Sequence, residues 1–193
     1  MLKHCGTTEI KTERLLLRQF KITDAEDMLK YWISYSETQA RYLDRVYTTQ
    51  EDVENLLSEW INNYKNEWFY KWAIIEAESG YCIGQVALWF GEGDSCMPEY
   101  CIGDNFQRRG YMTEAFKAVL EFAFMELNVE RIDIATRSVN ISSQKVIYNC
   151  GFRHIETDKN ALYEDGVQVD RYLYLLTKSE WVSNKILFKN FTA

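Results

Sequence analysis

A polar loop that leads directly into a strongly amphipathic helix is the most constraining feature of this sequence. The loop runs from Gln107 to Met112 and reads QRRGYM. Apolar residues then recur at the spacing of one helical face, namely Met112, Ala115, Phe116, Val119, Leu120 and Ala123. A short polar strand end, residues 100–104, precedes the loop. The sequence therefore predicts a strand, a loop and a buried helix, with the loop at the helix N-terminus.

The start of that helix is suited to bind a phosphate or pyrophosphate group. The first N–H groups of a helix have no partner inside it, and the aligned peptide dipoles place partial positive charge there. Arg108 and Arg109 add charge, and Gly110 lets an anion approach the backbone because it has no side chain. A solvated basic loop is the alternative interpretation, and the loop alone leaves both open.

Length and charge limit the class of protein. The chain has 193 residues, 47% of them hydrophobic, which is enough for one well-buried core and predicts one domain over residues 1–193. Its formal net charge of -7 argues against a general nucleic-acid binder, which normally presents a basic face. An acidic surface suits a basic acceptor such as an amine, and it equally suits solubility alone.

The five cysteines are Cys5, Cys82, Cys96, Cys101 and Cys150. They form an odd set without CxxC or Cys/His ligand spacing, so we expect reduced thiols and no metal site. The N-terminus has no apolar run before a cleavage site, and no stretch approaches transmembrane length. These features predict a cytoplasmic protein without membrane contact.

The order of predicted elements is β-α-α-β-β-β-α-β-α-β-β, a mixed α/β fold. The first strand is predicted over Thr12–Phe20, and helices are predicted after the capping signals at Thr23-Asp24 and Thr48-Thr49. The strands Phe69–Glu76 and Tyr81–Phe90 flank a hairpin turn. The later elements are a strand over Arg131–Thr136, a short helix over Asn140–Cys150 stopped by Gly151, and a final hairpin ending near Leu176. The core spans about residues 10–177, and the tail, 178–193, is a terminal helix, a dimer contact or a frayed end.

The loop Gln107-x-x-Gly110-x-Met112 followed by Thr113-Glu114-Ala115 resembles the pyrophosphate loop of the GNAT superfamily of acyl-CoA N-acyltransferases. Met112 stands where the family usually has a small residue. Further blocks of the resemblance are Thr12–Arg18, Asp24–Asp27, Lys71–Ile74 with Ile83-Gly84, Asn140-x-x-Ser143 with Gly151-Phe152, and Gly166-x-x-x-Asp170. Together they span residues 10–176 in the order of the GNAT fold. The branch that the chain most resembles is the ribosomal-protein-alanine N-acetyltransferase-like group.

The resemblance implies that acetyl-CoA binds where two parallel strands splay apart beside the loop helix. Splayed strands expose backbone groups with which the amides of the pantetheine arm can pair. The implied strands are Tyr100–Asp104 and Arg131–Thr136, and amides from Arg108 to Thr113 hold the pyrophosphate. Asn140 is expected as a helix N-cap, as a pantetheine contact, or as both. The implied coenzyme-binding residues are Cys101, Ile102, Gly103, Gln107, Arg108, Arg109, Gly110, Tyr111, Met112, Thr113, Asn140 and Ser143.

The catalytic groups are harder to assign. Many relatives use a tyrosine to protonate the thiolate of the departing coenzyme A, and this chain has Ile147 at that position. Some relatives carry a glutamate where this chain has Ala135. Neither isoleucine nor alanine can exchange a proton. Tyr148 lies about 100° further round the helix, so the role does not transfer to it. The remaining candidates are Glu99, as base or acceptor-positioning carboxylate, and Ser143.

The resemblance therefore implies an acetyl-CoA-dependent N-acetyltransferase that acts by direct attack of an amine in a ternary complex. A protein N-terminus is the favoured acceptor, and polyamines, amino acids and aminoglycoside-type antibiotics are alternatives. A non-catalytic acyl-CoA sensor is a further alternative, because Ile147 and Ala135 stand where relatives have proton-transferring residues. Relatives often pair through terminal strands, which makes a homodimer an open expectation. We expect a few aromatic side chains to line the acceptor cleft. The sequence does not distinguish among the candidates, which are Tyr31, Trp32, Tyr35, Tyr42, Trp68 and Trp72.

Overall fold

The computed structural model describes residues 2–34, 47–91, 94–164 and 166–191. Within these ranges the strands are β1 (Ile10–Lys11), β2 (Leu15–Arg18), β3 (Tyr70–Glu76), β4 (Cys82–Phe90), β5 (Ser95–Ile102), β6 (Arg131–Arg137), β7 (Arg153–Glu164) and β8 (Val167–Thr177). The helices are α1 (Ala25–Tyr31), α2 (Gln50–Asn63), α3 (Tyr111–Met125), α4 (Ile141–Asn149) and α5 (Lys178–Phe191). The predicted mixed α/β order is confirmed. The first predicted strand, Thr12–Phe20, contains only β2, the two-residue strand β1 precedes it, and the tail forms α5.

The chain divides into two compact units. The first, here called the loop unit, comprises Lys3–Trp89 and Glu99–Phe122. The second, here called the hairpin unit, comprises Met1–Leu2, Phe90–Pro98 and Ala123–Ala193. Strand β5 and helix α3 each begin in one unit and end in the other. The assignment of residues 1–193 to one domain stays a prediction.

Antiparallel strands β1 to β4 form the sheet of the loop unit. Leu17 of β2 lies opposite Ile74 of β3, and Trp72 of β3 lies opposite Val86 of β4. The predicted hairpin between β3 and β4 is confirmed, because Gly80 adopts a positive φ of 75° in the turn. Beyond β4, the N–H of Gly103 at the end of β5 donates to the Ile83 carbonyl at 2.9 Å.

Apolar side chains cover this sheet on both faces. On one face α1 and α2 contribute Met28, Trp32, Val53 and Leu57 to a buried cluster with Ala73. All six apolar residues that define the predicted face of α3 are buried, and Phe122 meets the ring of Trp72 edge-on at 5.5 Å. The face predicted from the spacing alone is therefore the face that packs.

Helix α1 begins at the predicted N-cap region, but the side chain there has a different partner. Asp24 occupies the N-cap position but makes no side-chain cap hydrogen bond. Its carboxylate instead accepts two hydrogen bonds from the Arg18 guanidinium, at 2.7 and 2.8 Å, and one from the Lys21 N–H. Two charge-assisted hydrogen bonds from one guanidinium stabilise the carboxylate more than a single N-cap bond would, which explains this arrangement.

Within the hairpin unit, β6 has different partners on its two edges. It pairs antiparallel with β8 from Arg131 to Arg137. Its parallel pairing with β5 comprises only Ser95–Arg131 and Cys96–Ile132 in the described part of the chain. The parallel arrangement was predicted, but β5 begins at Ser95 rather than Tyr100 and ends at Ile102 rather than Asp104. Pro98 lies just beyond the last pair, and because proline has no N–H it cannot extend a ladder.

The rest of the hairpin unit is a long hairpin and two helices. Strands β7 and β8 pair from Arg153–Leu175 to Glu164–Val167. Gly151, with φ of 91°, ends α4 as predicted. Helix α5 packs against the unit through Trp181, whose ring lies 5.9 Å from that of Phe124.

Candidate active site

The predicted phosphate loop has an unusual backbone. Arg108 and Gly110 both lie in the left-handed region, with φ of 59° and 82°. The left-handed conformation costs an L-residue other than glycine about 1–2 kcal/mol, so Arg108 is strained where Gly110 is not. The Gly110 carbonyl then accepts the N–H of Glu114 at 3.0 Å, which places Gly110 at the helix start.

This backbone leaves a group of N–H donors without acceptors. Among the described residues, the N–H groups of 108–112 have no intramolecular hydrogen-bond partner. Unpaired donors at a helix N-terminus favour an anionic ligand, since they add to the partial positive charge of the helix dipole. The residues present therefore fit a diphosphate.

A carboxylate on α3 anchors the loop to the strand β2 segment. Glu114 Oε1 accepts the Thr12 hydroxyl at 2.7 Å and the Arg14 N–H at 2.9 Å. Its Oε2 accepts Arg14 Nε at 2.7 Å and Nη2 at 2.6 Å. Arg14 Nη1 in turn donates to the Arg109 carbonyl at 3.0 Å, and its guanidinium lies 4.6 Å over the Tyr111 ring. The backbone of the loop is thus held from outside by one arginine.

The same contacts lower the pKa of the Glu114 carboxylate. Burial acts to raise the pKa of Glu114, but hydrogen bonds from Thr12 and Arg14 outweigh it, so this pKa lies below its ordinary value. A lowered carboxylate pKa stabilises the fold above the ordinary pKa, and this contribution is lost as the pH falls through the folded-state pKa. The anchor is therefore intact at neutral pH.

Replacing Glu114 with alanine is expected to lower the free energy of unfolding by about 2–3 kcal/mol, because charged hydrogen bonds are lost and water compensates only in part. Acetyl-CoA affinity should fall as well, since the loop loses its support. Denaturant titration and calorimetry measure the two effects. The stability difference from wild type should shrink on acidification below the ordinary pKa.

The hairpin unit offers a matched control for this substitution. Glu180 accepts hydrogen bonds from Arg153 Nε, the Thr177 N–H and the Thr177 hydroxyl, at 2.8, 2.8 and 2.7 Å. Glu180→Ala should therefore also destabilise the protein but leave acetyl-CoA affinity unchanged. Equal affinity losses in both variants would contradict a specific role of Glu114 in holding the loop.

A second carboxylate holds the first residue of α3. The Tyr111 hydroxyl donates to Glu76 Oε1 at 2.6 Å, and the Ser79 hydroxyl donates to Glu76 Oε2 at 2.6 Å. The hydrogen bonds from Ser79 and Tyr111 lower the pKa of Glu76. This contact joins the start of α3 to the end of β3.

The other predicted loop residues divide between backbone and side-chain roles. Gln107 Nε2 donates to Asp104 Oδ1 at 2.7 Å, so its side chain braces the turn before the loop. Arg108 and Arg109 are exposed. The Met112 side chain is buried in the apolar face of α3, which leaves only its backbone N–H to the loop. Thr113 follows in the first turn of α3.

The end of β5 shows why a glycine stands there. A Cβ on Gly103 would lie 2.3 Å from the Tyr31 carbonyl oxygen, so only glycine allows α1 to approach this closely. The Gly103 N–H is already paired with Ile83. Because alternate residues of a strand direct their backbone groups to opposite edges, Cys101 and Gly103 face β4. Ile102 faces the opposite edge.

Glu99 lies in β5 with both carboxylate oxygens engaged. Gln85 Nε2 donates to Oε1 at 2.9 Å, and Trp89 Nε1 donates to Oε2 at 3.1 Å. Lys71 Nζ lies 3.7 Å from Oε1. The Glu99 side chain remains 46% exposed, so its outer lone pairs are open to a solute. Sequence reasoning found Glu99 but not these three neighbours.

Asn140 and Ser143 lie in the hairpin unit. The Asn140 side chain accepts the Ser143 N–H at 3.0 Å, so the predicted N-cap of α4 is confirmed. Its second expected role, contact with pantetheine, stays a prediction. Ser143 is half-buried and stands in the first turn of α4, and Lys145 is exposed.

The positions that differ from the family pattern are also in the hairpin unit. Ile147 is fully buried, and Ala135 is exposed on β6. Tyr148 is 55% exposed, and its ring meets that of Tyr174 edge-on at 5.4 Å. Tyr148 therefore points away from the side of α4 on which Ile147 lies.

The aromatic residues expected near an acceptor have separate environments. Trp32 and Trp72 are fully buried core residues. Trp68 is exposed and stacks on His4 at 3.6 Å, whereas Tyr31 lies against Tyr81 at 5.0 Å. Tyr35 and Tyr42 lie outside the described residues.

Comparison with known proteins identifies the family. A family model described as an acetyltransferase (GNAT) domain matches residues 14–153, well over half of the chain. The protein belongs to the GNAT family and is an N-acetyltransferase. Members of this family use acetyl-CoA as acetyl donor.

Individual relatives agree with this assignment. The uncharacterized N-acetyltransferase YnaD of Bacillus subtilis is 28% identical over 174 residues, covering 89% of this chain and 98% of its own. The ribosomal-protein-S5-alanine acetyltransferase of Vibrio fischeri is similar in fold, with a TM-score of 0.76, 20% identity and coverage of 90% and 98%. A RimL ribosomal L7/L12 alpha-N-protein acetyltransferase in complex with coenzyme A gives a TM-score of 0.73, 18% identity and coverage of 88% and 98%.

Two further properties concern the described residues alone. All five cysteines lie in these ranges, and none of them forms a disulfide. In these same ranges, none of the helices combines the length and apolar character needed to span a bilayer.

Proposed function

We propose that this enzyme moves the acetyl group of acetyl-CoA to a primary amine by direct attack in a ternary complex, without an acetyl-enzyme intermediate. The observation that carries the proposal is the set of unpaired N–H groups at residues 108–112, which face no acceptor among the described residues. Such donors cost free energy when they are left without a ligand or water. A diphosphate satisfies them and also matches the dipole of α3.

The chain's own residues supply grip and orientation. The backbone from Arg108 to Thr113 holds the diphosphate, and the Ile102 backbone of β5, whose carbonyl also accepts Gln107 Nε2 at 3.5 Å, pairs with the pantetheine amides. Gly103 allows α1 to approach β5 closely, but it offers the coenzyme no N–H donor because its N–H is bonded to the Ile83 carbonyl. Asn140 and Ser143 lie in the hairpin unit, and their expected contact with the coenzyme stays a prediction. When bound, acetyl-CoA supplies an activated thioester.

The acceptor side needs a group that handles the proton of the amine. Primary amines are mostly protonated at neutral pH, and only the neutral form attacks a thioester. Glu99 is the proposed group, since its carboxylate is fixed on two sides and open on the third. It binds the ammonium form and accepts a proton from it. Ser143 is retained as an alternative candidate.

For the acceptor we propose a protein N-terminus. Two solved structures that share the fold are named for ribosomal-protein acetyltransferases, which supports this class at the level of fold. A spermidine N-acetyltransferase also shares the fold, with 17% identity and a TM-score of 0.71, which keeps small-molecule amines as the alternative. The cytoplasmic location and a homodimer stay predictions.

The proposal is tested by thiol release from acetyl-CoA in the presence of separate panels of N-terminal peptides, polyamines, amino acids and aminoglycosides. Release with peptides alone supports the favoured acceptor, and release only with small amines moves the assignment to the alternative. Tight acetyl-CoA binding without thiol release for any amine would indicate a non-catalytic acyl-CoA sensor instead of an enzyme. A Gly110→Asp variant provides the low-binding control, because it should bind acetyl-CoA about 100-fold more weakly than the wild type.

A further inference from the structure

A buried lysine on β3 has no part in the function proposed so far. Lys71 is 3% exposed, in a strand whose other residues are almost all apolar. Its Nζ lies 4.3 Å from the Trp60 ring centroid and 5.7 Å from that of Trp89. Lysines are almost never buried to this extent unless they are paired. The position therefore calls for a reason other than packing.

The lysine begins a row of polar groups that crosses three neighbouring strands. Lys71 Nζ donates to Gln85 Oε1 at 2.9 Å, and Gln85 Nε2 donates to Glu99 Oε1 at 2.9 Å. A lysine ammonium only donates and a carboxylate only accepts, so these two neighbours fix which way the Gln85 amide faces. Gln85 is itself 2% exposed. The row runs from the buried interior at Lys71 to the exposed carboxylate of Glu99.

The energetics favour a functional reason for the row. Burial lowers the pKa of Lys71, while the charges of Glu99 and Cys101 act in the opposite direction. Replacing a buried charged group by an apolar side chain of similar volume is often neutral or stabilising. A methionine at this position would fill the same space without that cost, yet it would leave the Gln85 amide free to turn.

We propose that Lys71 is a positioning residue for the acceptor amine: through Gln85 it holds the Glu99 carboxylate in one orientation at the exposed end of the row. This inference rests on the proposed function of Glu99 in receiving the amine. Trp89 fixes the second oxygen of the same carboxylate. The incoming amine therefore meets a carboxylate that has already lost its rotational freedom, which lowers the entropic cost of productive binding.

The test begins with Lys71→Met, measured with whichever amine the wild-type enzyme acetylates. We expect KM for the amine to rise about tenfold and kcat to change less, because ground-state and transition-state binding of the amine are weakened together. The pH profile of kcat/KM should shift, since the charge beside Glu99 is gone. The Kd of acetyl-CoA, measured by calorimetry, should stay the same.

Lys65 provides the matched control. It also donates to a side-chain amide oxygen, Asn62 Oδ1 at 2.9 Å, but it is exposed. Lys65→Met should therefore change none of these quantities. Lys71→Arg, which keeps the charge, should recover part of the loss in amine affinity.

A thermodynamic cycle separates positioning from general damage to the fold. Gln85→Met breaks the same row at its middle member, so it should reproduce the kinetic change of Lys71→Met. The double variant should be no worse than either single one, because both changes remove one linkage. Additive losses, or an unchanged pH profile and KM in Lys71→Met, would overturn the inference.

Stability gives a readout that does not depend on turnover. Because the pKa of Lys71 is lowered on folding, its burial costs stability at low pH, and this cost disappears as the pH rises towards the ordinary lysine pKa of 10.5. The stability gained by Lys71→Met should therefore be largest at neutral pH and decline towards alkaline pH. A difference that does not vary with pH would count against a buried titrating lysine. Failure of the wild type to acetylate any amine would instead refute the proposed function.

Discussion

Gly110→Asp is expected to weaken acetyl-CoA binding about 100-fold, which corresponds to about 2.8 kcal/mol. The substitution puts a carboxylate among the N–H groups that are proposed to hold the diphosphate. Two like unit charges about 4 Å apart near a protein surface repel by about 4 kcal/mol, which is enough for a loss of this size. Isothermal titration calorimetry with acetyl-CoA measures it directly.

Backbone strain adds a second effect that must be separated from charge. Gly110 has φ of 82°, and a Cβ there would lie 3.4 Å from Arg14 Nη2. Gly110→Ala introduces the strain without the charge, so its loss of affinity should be several times smaller. Gly166→Asp introduces the same residue at φ of 79° with no neighbour within 4 Å. That variant should keep the wild-type affinity.

The side chain and the amide of Arg108 can also be told apart. Its φ of 59° is strained for arginine and not for glycine. Arg108→Gly therefore keeps the N–H and the loop conformation and removes only the guanidinium. If the amides dominate, affinity should fall by no more than about threefold, as for loss of one exposed charge contact. A folded Gly110→Asp protein with unchanged affinity would refute the placement of the diphosphate.

The loop could be predicted from sequence because its determinants are local. The apolar spacing from Met112 to Ala123 defines one helical face, and Gly110 marks the close approach of the backbone. Both features act within one or two turns of the chain. The structure confirms the helix and its buried face, and the helix begins at Tyr111, inside the predicted loop.

The anchor of the loop could not be predicted in the same way. Arg14 and Glu114 are 100 residues apart in sequence, and nothing near either one identifies the other. Both occur in motifs that carry the family resemblance, yet the motif says only that a residue is there. Their contact depends on how β2 and the start of α3 pack. Pairing of this kind is decided by tertiary structure.

The row of polar groups from Lys71 to Glu99 could be predicted from sequence only in part. A lone lysine in FYKWAIIE and a lone glutamine in IGQVALWF are visible irregularities in two apolar strands. They indicate that something polar is buried there. Which residues meet depends on the register, in which Gln85 lies opposite Ala73, two residues from Lys71 on the same face of β3. Sequence alone gives the signal without the partner.

Glu99→Gln is expected to lower kcat/KM for the acceptor amine about 100-fold at neutral pH, the low end of the usual contribution of a general base. An amide can neither take up a proton nor balance an ammonium charge. It also fits its surroundings poorly. Gln85 Nε2 and Trp89 Nε1 donate to the two different oxygens of Glu99, so the NH₂ group of a glutamine must face one of these donors.

Steady-state kinetics over a range of pH, together with calorimetry of acetyl-CoA, measures the effect. The acidic limb of the pH profile should move or vanish, and acetyl-CoA affinity should be retained, because Glu99 is not part of the loop. Glu54→Gln is the matched control, since Glu54 also accepts a glutamine side-chain N–H, from Gln50 at 2.7 Å, on the exposed face of α2. If Glu99→Gln keeps both the rate and the pH profile of the wild type, the proton of the amine leaves by another route and Ser143 or water must be considered in its place.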